Sequence, residues 1–376
     1  MISAMPASTA AAAENPDEGT MARDLMTPVE RAKALREGRP ADRIRCVPSI
    51  SNTAARVIGV RVSELRSSGE TLARATIATY RRFGFDSVRV FTDLYVQPEA
   101  MGSKVRVPLD ETAHMEAPAV SREEEVETLV PHNPYTDGPL PVLLEATKRT
   151  LDAIGHEVPV TCGVEGPFTL ASLLVGADNI SRWMLRKPEL AHRVIGLAYE
   201  ASRQLADAVI DLGSAPNITC AMSSSTVISP RHFREFSQPY LKRLIEHVKG
   251  RGVAAVGLHI CGKTAGIWRG MADTGASCLS IDNMAHLDEA KAEVGDRVCL
   301  MGNIPPSEVL LQGAPAEVRA AAFKCIREAW DSPCGFILAS GCSLATETPF
   351  ANIDAMMDAA REAGWPVRPD ILATEA

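Results

Sequence analysis

The sequence predicts an α/β protein of the (β/α)8 TIM-barrel class, and three observations carry that prediction. Short apolar runs recur eight times along the chain. Each is followed by a longer amphipathic stretch. Polar and thiol side chains gather where the runs end. Apolar runs of four to eight residues alternating with helical pattern indicate parallel strands joined by helices. Eight such units close a barrel whose functional groups sit at the C-terminal strand ends.

The first four runs are IRCVPSI (44–50), SVRVFT (87–92), VPVTCGV (158–164) and NITCAM (217–222). The second four are VAAVGLHI (253–260), CLSI (278–281), RVCLMG (297–302) and GFILAS (335–340). Between them, the stretch 68–84 opens on Ser and closes on Gly, as a capped helix does. The stretch 229–252 opens on Ser-Pro and ends in Gly, 315–330 carries Pro in its first turn, and 352–364 runs from Asn to Gly. No G-x-G-x-x-G follows the first run, which argues against a doubly wound open sheet. Residues 100–150 are surplus to the rhythm, and GSKVRVPLDETAHMEAPAV (102–120) reads as a hairpin-like insertion after the second strand. A single catalytic domain is expected over 40–368. Residues 1–25 include the Ala-rich polar segment STAAAAENPDEG and read as a disordered tail, with Met21 an alternative start.

The chain has 376 residues, 46% of them hydrophobic, and a formal net charge of -8. The acidic balance and the lack of Lys/Arg clusters give no footprint for nucleic acid. No apolar stretch is long enough to span a membrane, and the N-terminal segment lacks the features of a secretory signal. Nine cysteines, an odd number in a long chain, argue against a disulfide framework and for reduced thiols in a cytoplasmic protein. Cys46, Cys162, Cys220, Cys278 and Cys299 sit within apolar runs and read as core.

His259 and Cys261 alternate at the end of the fifth run, so a strand turns both to one side. Taken alone, such residues are a hydrogen-bonded histidine and a small buried hydrophobe. In a barrel they join other strand ends: Asp93 after the second run, Glu165 after the third, Ser223 and Ser224 after the fourth, Asp282 after the sixth, Asn303 after the seventh and Cys342 after the eighth. His259, Cys261 and Cys342 are the soft donors zinc prefers, and three ligands with one open position describe a catalytic site. No CxxC is present, against a structural zinc. Two thiolates weaken zinc as a Lewis acid, which favours activation of a thiol over activation of water. Asp93, Glu165, Asp282 and Asn303 are candidate catalytic residues, and Ser223 and Ser224 candidate cofactor contacts. The alternatives are that Glu165 caps the following helix, that Asn303 satisfies backbone groups in a tight loop, and that the serines cap a helix.

Several stretches also resemble the uroporphyrinogen decarboxylase superfamily, and within it the methylcobamide:coenzyme M methyltransferase branch. They are GPFTLASLL (166–174), ISPRHFREFSQPYLKRL (228–244), LHICGKT (258–264), LSIDN (279–283), LMGNIPPSEVLLQG (300–313) and ILASGCSLATETPFANIDAMMDAAR (337–361). The resemblance covers roughly residues 40–365 and implies a TIM barrel, a bound zinc, and methyl transfer from a methylated corrinoid protein to a small thiol. By motif the ligands would be His259, Cys261 and Cys342, with Asp282 where that branch has an acidic residue that can complete the zinc shell. The chain has no D-x-H-x-x-G, so the corrinoid is expected on a partner protein. The decarboxylases carry an Arg-rich loop after the first strand. Here Arg56 and Arg61 do not reproduce its spacing, although Asp93 stands where those enzymes have a pyrrole-binding Asp. They also have His where this chain has Cys342, and CAMSSST lacks the Asp common after strand four. The competing expectations are a tetrahydrofolate acceptor, a decarboxylase-type carboxy-lyase, and a non-catalytic binder.

Overall fold

The computed structural model describes residues 24–373. The tail expected over residues 1–25 lies outside them except for Asp24 and Leu25. Eight strands pair in parallel: β1 (Cys46–Val47), β2 (Val88–Val90), β5 (Val160–Glu165), β6 (Ala215–Thr219), β7 (Gly257–Ile260), β8 (Cys278–Ile281), β9 (Cys299–Ile304) and β10 (Phe336–Ser340). Their order is β1-β10-β9-β8-β7-β6-β5-β2, a nearly closed (β/α)8 barrel. The remaining two, β3 (Lys104–Arg106) and β4 (His114–Ala117), form an antiparallel hairpin outside it, within the stretch read as an insertion.

Closure between β1 and β2 depends on Asp86. Its amide donates to the Cys46 carbonyl at 2.9 Å, and its carboxylate accepts from the Cys46 amide at 2.7 Å. The same carboxylate takes Arg31 and Arg43, each at 2.5 Å. A buried carboxylate is costly unless charge-paired and hydrogen-bonded, and this one is both. Arg31 comes from helix Pro28–Arg36, which precedes the domain start expected at 40. Asp24 ties Arg43 to Arg361 of helix Phe350–Ala363, at 2.8 and 2.9 Å. Both ends of the described chain thus lock the base of the barrel.

Helix Gly69–Phe83 begins under the Ser68 hydroxyl, which accepts from Thr71 N at 3.1 Å, and stops at Gly84 with φ 73°. Its apolar face covers β2, and Phe83 meets Phe350 edge to face, centroids 5.8 Å apart. Three runs keep half their predicted length or less as strands, among them 87–92, where only Val88–Val90 pairs. Ladder pairing of β1 stops before Pro48, which has no amide to donate, and only the last four residues of 253–260 pair. The helix predicted over 229–252 widens into a π turn at Phe233–Ser237, just before Pro239, whose missing N–H cannot close the regular ladder. Among the described residues no helix is long and apolar enough to cross a membrane.

Candidate metal centre

His259 on β7 is in register with Thr219 of β6 and Ser280 of β8. The pleat sends all three toward the bore, and Cys261, two residues on, follows. Gly262 then turns the chain at φ 80°; a Cβ there would lie 2.5 Å from Thr226 Oγ1. Gly341, ahead of Cys342, has the same duty beside β8: a Cβ would lie 2.5 Å from the Asn283 amide. These two glycines let the loops after β7 and β10 close on each other.

The result is a triangle of donor atoms. His259 Nε2 is 3.2 Å from Cys261 Sγ and 3.7 Å from Cys342 Sγ, and the two sulfurs are 3.9 Å apart. Zinc with ordinary bond lengths and tetrahedral angles separates N from S by about 3.6 Å and S from S by about 3.8 Å. The donor set therefore fits zinc in both type and spacing. Among the described residues no other three His, Cys, Asp or Glu side chains converge this way. His259 Nδ1 lies 3.0 Å from Ser280 Oγ, which fixes the ring and leaves Nε2 for the triangle. Hydrogen bonds from Cys261 and from His259 hold the Cys342 thiol below the usual thiol range, and the same sulfur pairing holds Cys261 above it.

Asp282 does not join the triangle. Its Oδ2 accepts from Gly262 N at 2.8 Å and its Oδ1 from Met284 N at 2.9 Å. The carboxylate holds the turn that follows Cys261, and the hydroxyl on His259 belongs to Ser280 instead. Asn303 is buried, and its amide donates to the carbonyls of Asp282 and Ala285 at 3.1 and 2.7 Å, the contacts that the backbone-satisfying alternative expects. Ser223 Oγ pairs with Ser237 Oγ at 2.9 Å, beneath the surface. Ser224 Oγ is buried with no partner, and a Cβ on Gly262 would come within 3.0 Å of it. Asp93 is engaged by Arg66 at 2.8 Å. Glu165 is fully enclosed and accepts a short hydrogen bond from the Gln97 amide, whose oxygen meets His132 Nε2 at 2.9 Å. Burial pushes the Glu165 carboxyl up to about 8 and the His132 imidazole down to about 4.

Four residues of this end escaped the sequence reading. Ser280 and the Gln97–His132 pair are described above. The fourth is Arg89, the middle residue of β2. A cavity of about 330 Å³ fills the bore, and Arg89, Ser49, Ser343, His259, Cys261 and Cys342 all line it. The alternation V-R-V, with both valines buried under the helices, was the available signal for an inward Arg.

The profile of the family described as Uroporphyrinogen decarboxylase (URO-D) matches residues 27–363. The chain belongs to the uroporphyrinogen decarboxylase family. It is 31% identical to the methylcobamide:CoM methyltransferase MtaA of Methanosarcina barkeri, over 88% of this chain and 97% of that one. It is also 31% identical to the uroporphyrinogen decarboxylase of Anaeromyxobacter dehalogenans, over 80% and 88%. A solved methyltransferase from Methanosarcina mazei superposes with a TM-score of 0.81 at 28% identity, covering 90% of this chain and 99% of that one. Within the family the chain is thus an enzyme of the methyltransferase kind. The arginines after β1 are occupied away from the bore. Arg56 donates to the carbonyls of Thr346 and Thr348 at 3.1 and 3.0 Å, and Arg61 pairs with Asp110 at the surface.

Proposed function

We propose that this enzyme moves a methyl group from a methylated corrinoid, carried by a partner protein, to a small thiol, with zinc held by His259, Cys261 and Cys342. The observation that carries the reading is the donor triangle of 3.2, 3.7 and 3.9 Å opening on a cavity large enough for a small acceptor. Its relatives include proteins named for methylcobamide and CoM, and one named methylated-thiol--coenzyme M methyltransferase from Methanosarcina mazei at 24% identity. Zinc in a two-thiolate set supplies a site where a joining thiol loses its proton and stays nucleophilic. The corrinoid supplies the methyl group. The chain's own residues do the rest. Ser280 fixes the His259 ring, Asp282 pins the turn beyond Cys261, and the loops after β7 and β10 frame an opening for the corrinoid protein. Nine unpaired cysteines suit a reducing cytoplasm.

A decarboxylase reading lacks the arginine loop, since Arg56 and Arg61 are engaged elsewhere. The decisive experiment offers methylcobalamin and a panel of thiols to the purified chain, beside metal analysis of the same sample. Zinc near one per chain with loss of free thiol and demethylation of the corrinoid is the expected result. A fully zinc-loaded chain that methylates no thiol, yet methylates tetrahydrofolate, would overturn the acceptor; a chain that takes up no zinc would overturn the ligand set.

A further inference from the structure

Away from the donor triangle, a second pair of thiols meets at the base of the barrel. Cys278 and Cys299 are the first residues of β8 and β9 and face each other in register. Cys278, Ser280 and Met301 line the bore cavity. Cys299 lies two residues before Met301 and so shares its face of the sheet. Adjacent strands run about 4.8 Å apart, and disulfides span Cα separations of about 4.4–6.8 Å, so the two side chains are within bridging reach. Arg45 completes the cluster. Its Nη2 donates to Cys299 Sγ at 3.8 Å, and its Nε is buried without a partner. Arg45 makes no ion pair with a carboxylate among the described residues, so the Cys299 sulfur is the group on which its charge acts.

The other thiols are set differently. Cys46, Cys162 and Cys220 are buried in the core, and burial pushes each thiol up. Cys325 rises for the same reason, to about 11. Cys334 is exposed, and partial desolvation and the nearby Cys299 raise its thiol as well. Cys261 and Cys342 belong to the triangle. Cys299 alone has a neighbouring thiol, a guanidinium and a cavity beside its partner. A hydrogen bond from Cys278, helped by Arg45, brings its thiol down to about 7. The thiolate is the nucleophilic form of cysteine, and an adjacent guanidinium favours it. A second thiol in reach can then condense with whatever oxidised form it reaches.

We propose that Cys278 and Cys299 form a redox-active dithiol at the base of the barrel: Cys299, activated by Arg45, takes the oxygen of a small hydroperoxide, and Cys278 resolves the product to a disulfide. The Cys299 thiolate attacks one peroxide oxygen, the O–O bond breaks, and the other oxygen leaves as hydroxide and is protonated to water. Cys299 is then a sulfenic acid. The Cys278 sulfur attacks the Cys299 sulfur, the S–O bond breaks, and the oxygen leaves as water with the Cys278 proton. Two thiols and one hydrogen peroxide thus give one disulfide and two waters, the sulfurs losing the two electrons that the peroxide gains. Reduction by a dithiol restores both thiols by exchange. Cys278 and Arg45 both line the cavity of about 330 Å³, which is ample for a molecule as small as hydrogen peroxide. The proposal is independent of the methyl-transfer reading.

The test treats the zinc-loaded full chain with one equivalent of hydrogen peroxide at pH 7, alkylates the remaining thiols and maps the peptides by mass spectrometry. The expected product is a Cys278–Cys299 cross-link within one chain, reversed by dithiothreitol, with zinc still bound. In Cys278→Ser the resolving thiol is gone, so a sulfenic acid should persist on Cys299 and be captured by dimedone. In Cys299→Ser neither the cross-link nor an adduct on Cys278 should form. Arg45→Gln should slow the loss of the Cys299 thiol by about tenfold at pH 7, as its thiolate fraction falls toward that of an ordinary cysteine. Circular dichroism checks that each variant is folded. A treated parent chain in which Cys278 and Cys299 are both still alkylated while other cysteines are oxidised would overturn the proposal. So would a Cys299–Cys334 link in place of the expected one, a folded Cys278→Ser with no dimedone adduct, or an Arg45→Gln chain that reacts as fast as the parent.

Discussion

Each end of the barrel holds two cysteines and an arginine, yet only at the C-terminal end does a third donor, His259, join the two sulfurs. At that end Cys261 and Cys342 lie beyond β7 and β10, strands that are separated in the sheet by β8 and β9. Loops bring them to 3.9 Å of each other and to His259. At the base, Cys278 and Cys299 are the first residues of β8 and β9 and face each other in register. Arg45 lies 3.8 Å from Cys299 Sγ, where a third ligand or a cation would otherwise approach. A hydrogen bond from Cys278, together with Arg45, holds the Cys299 thiol below its usual range, and Cys278 rises accordingly. At the mouth, by contrast, the hydroxyls of Ser49 and Ser343 stand around Arg89, and the sulfurs are left to one another and to imidazole. Two thiols and a cation are common to both ends. What distinguishes the mouth is a third donor and loops free to converge, which strand register does not allow.

The largest expected effect tests that distinction directly. His259→Ala, Cys261→Ala and Cys342→Ala should each remove nearly all bound zinc from a chain that otherwise carries about one per molecule. The double variant Cys278→Ser/Cys299→Ser should keep it. Metal analysis alongside circular dichroism separates ligand loss from unfolding. Full zinc occupancy in Cys342→Ala would remove the basis of the comparison.

The carboxylates repeat the contrast. At the base, Asp86 is satisfied by two guanidiniums and a backbone amide. At the mouth, Glu165 has a neutral amide from Gln97, and burial pushes its carboxyl from the ordinary 4.5 to about 8. A raised folded pKa means that the native state holds the proton more tightly. The associated stability is therefore present below about pH 4.5 and is lost as pH rises through about 8. Glu165→Gln should gain on the parent across that window, by on the order of a few kcal/mol at most. Urea midpoints at pH 5 and pH 8.5 measure it. Parallel pH profiles for the two proteins would mean that Glu165 is charged at neutral pH.

Next in size is the contact between Ser280 and His259. Ser280→Ala frees the His259 ring without touching a ligand atom, and zinc affinity should fall by roughly 10–100-fold. Competition with a chromophoric chelator reads it. No loss of affinity would show that β7 packing alone orients the imidazole.

Ser280 also marks where the sequence stops being legible. The eight runs, the capped helices and the hairpin follow from apolar periodicity and from Gly, Pro and Ser at element ends, and they stand in the structure close to where the pattern puts them. The convergence of His259, Cys261 and Cys342 was readable because their chemistry is soft and their positions are strand ends. Ser280 and Arg89 lie inside strands, where a polar residue between apolar ones normally faces water. Helices cover the outside of this barrel, so the polar residue faces the bore instead. Asp282 shows the opposite limit. Its strand-end position was correctly read, but position does not say which way a carboxylate turns, and two backbone amides claimed it. Cys278 and Cys299 read as core because they stand in apolar runs; they are half-buried, and Cys278 opens onto the lower bore.

The smallest expected effect concerns the base pair taken singly. Cys299→Ser trades a half-buried sulfur for a hydroxyl, and Arg45 remains to hydrogen-bond it, so no polar atom is left stranded. The neighbouring strands are fixed by the ladder from Cys278↔Cys299 to Ser280↔Met301, which does not depend on the side chain. Stability should change by less than about 1 kcal/mol, and zinc content not at all. Because one cavity connects the two ends, this is the substitution that could show them to be one system. If Cys299→Ser lowered zinc affinity as much as Ser280→Ala, the base would be acting on the mouth through the bore. The difference between the ends would then lie in how the barrel as a whole sets its electrostatics, and not in the third donor.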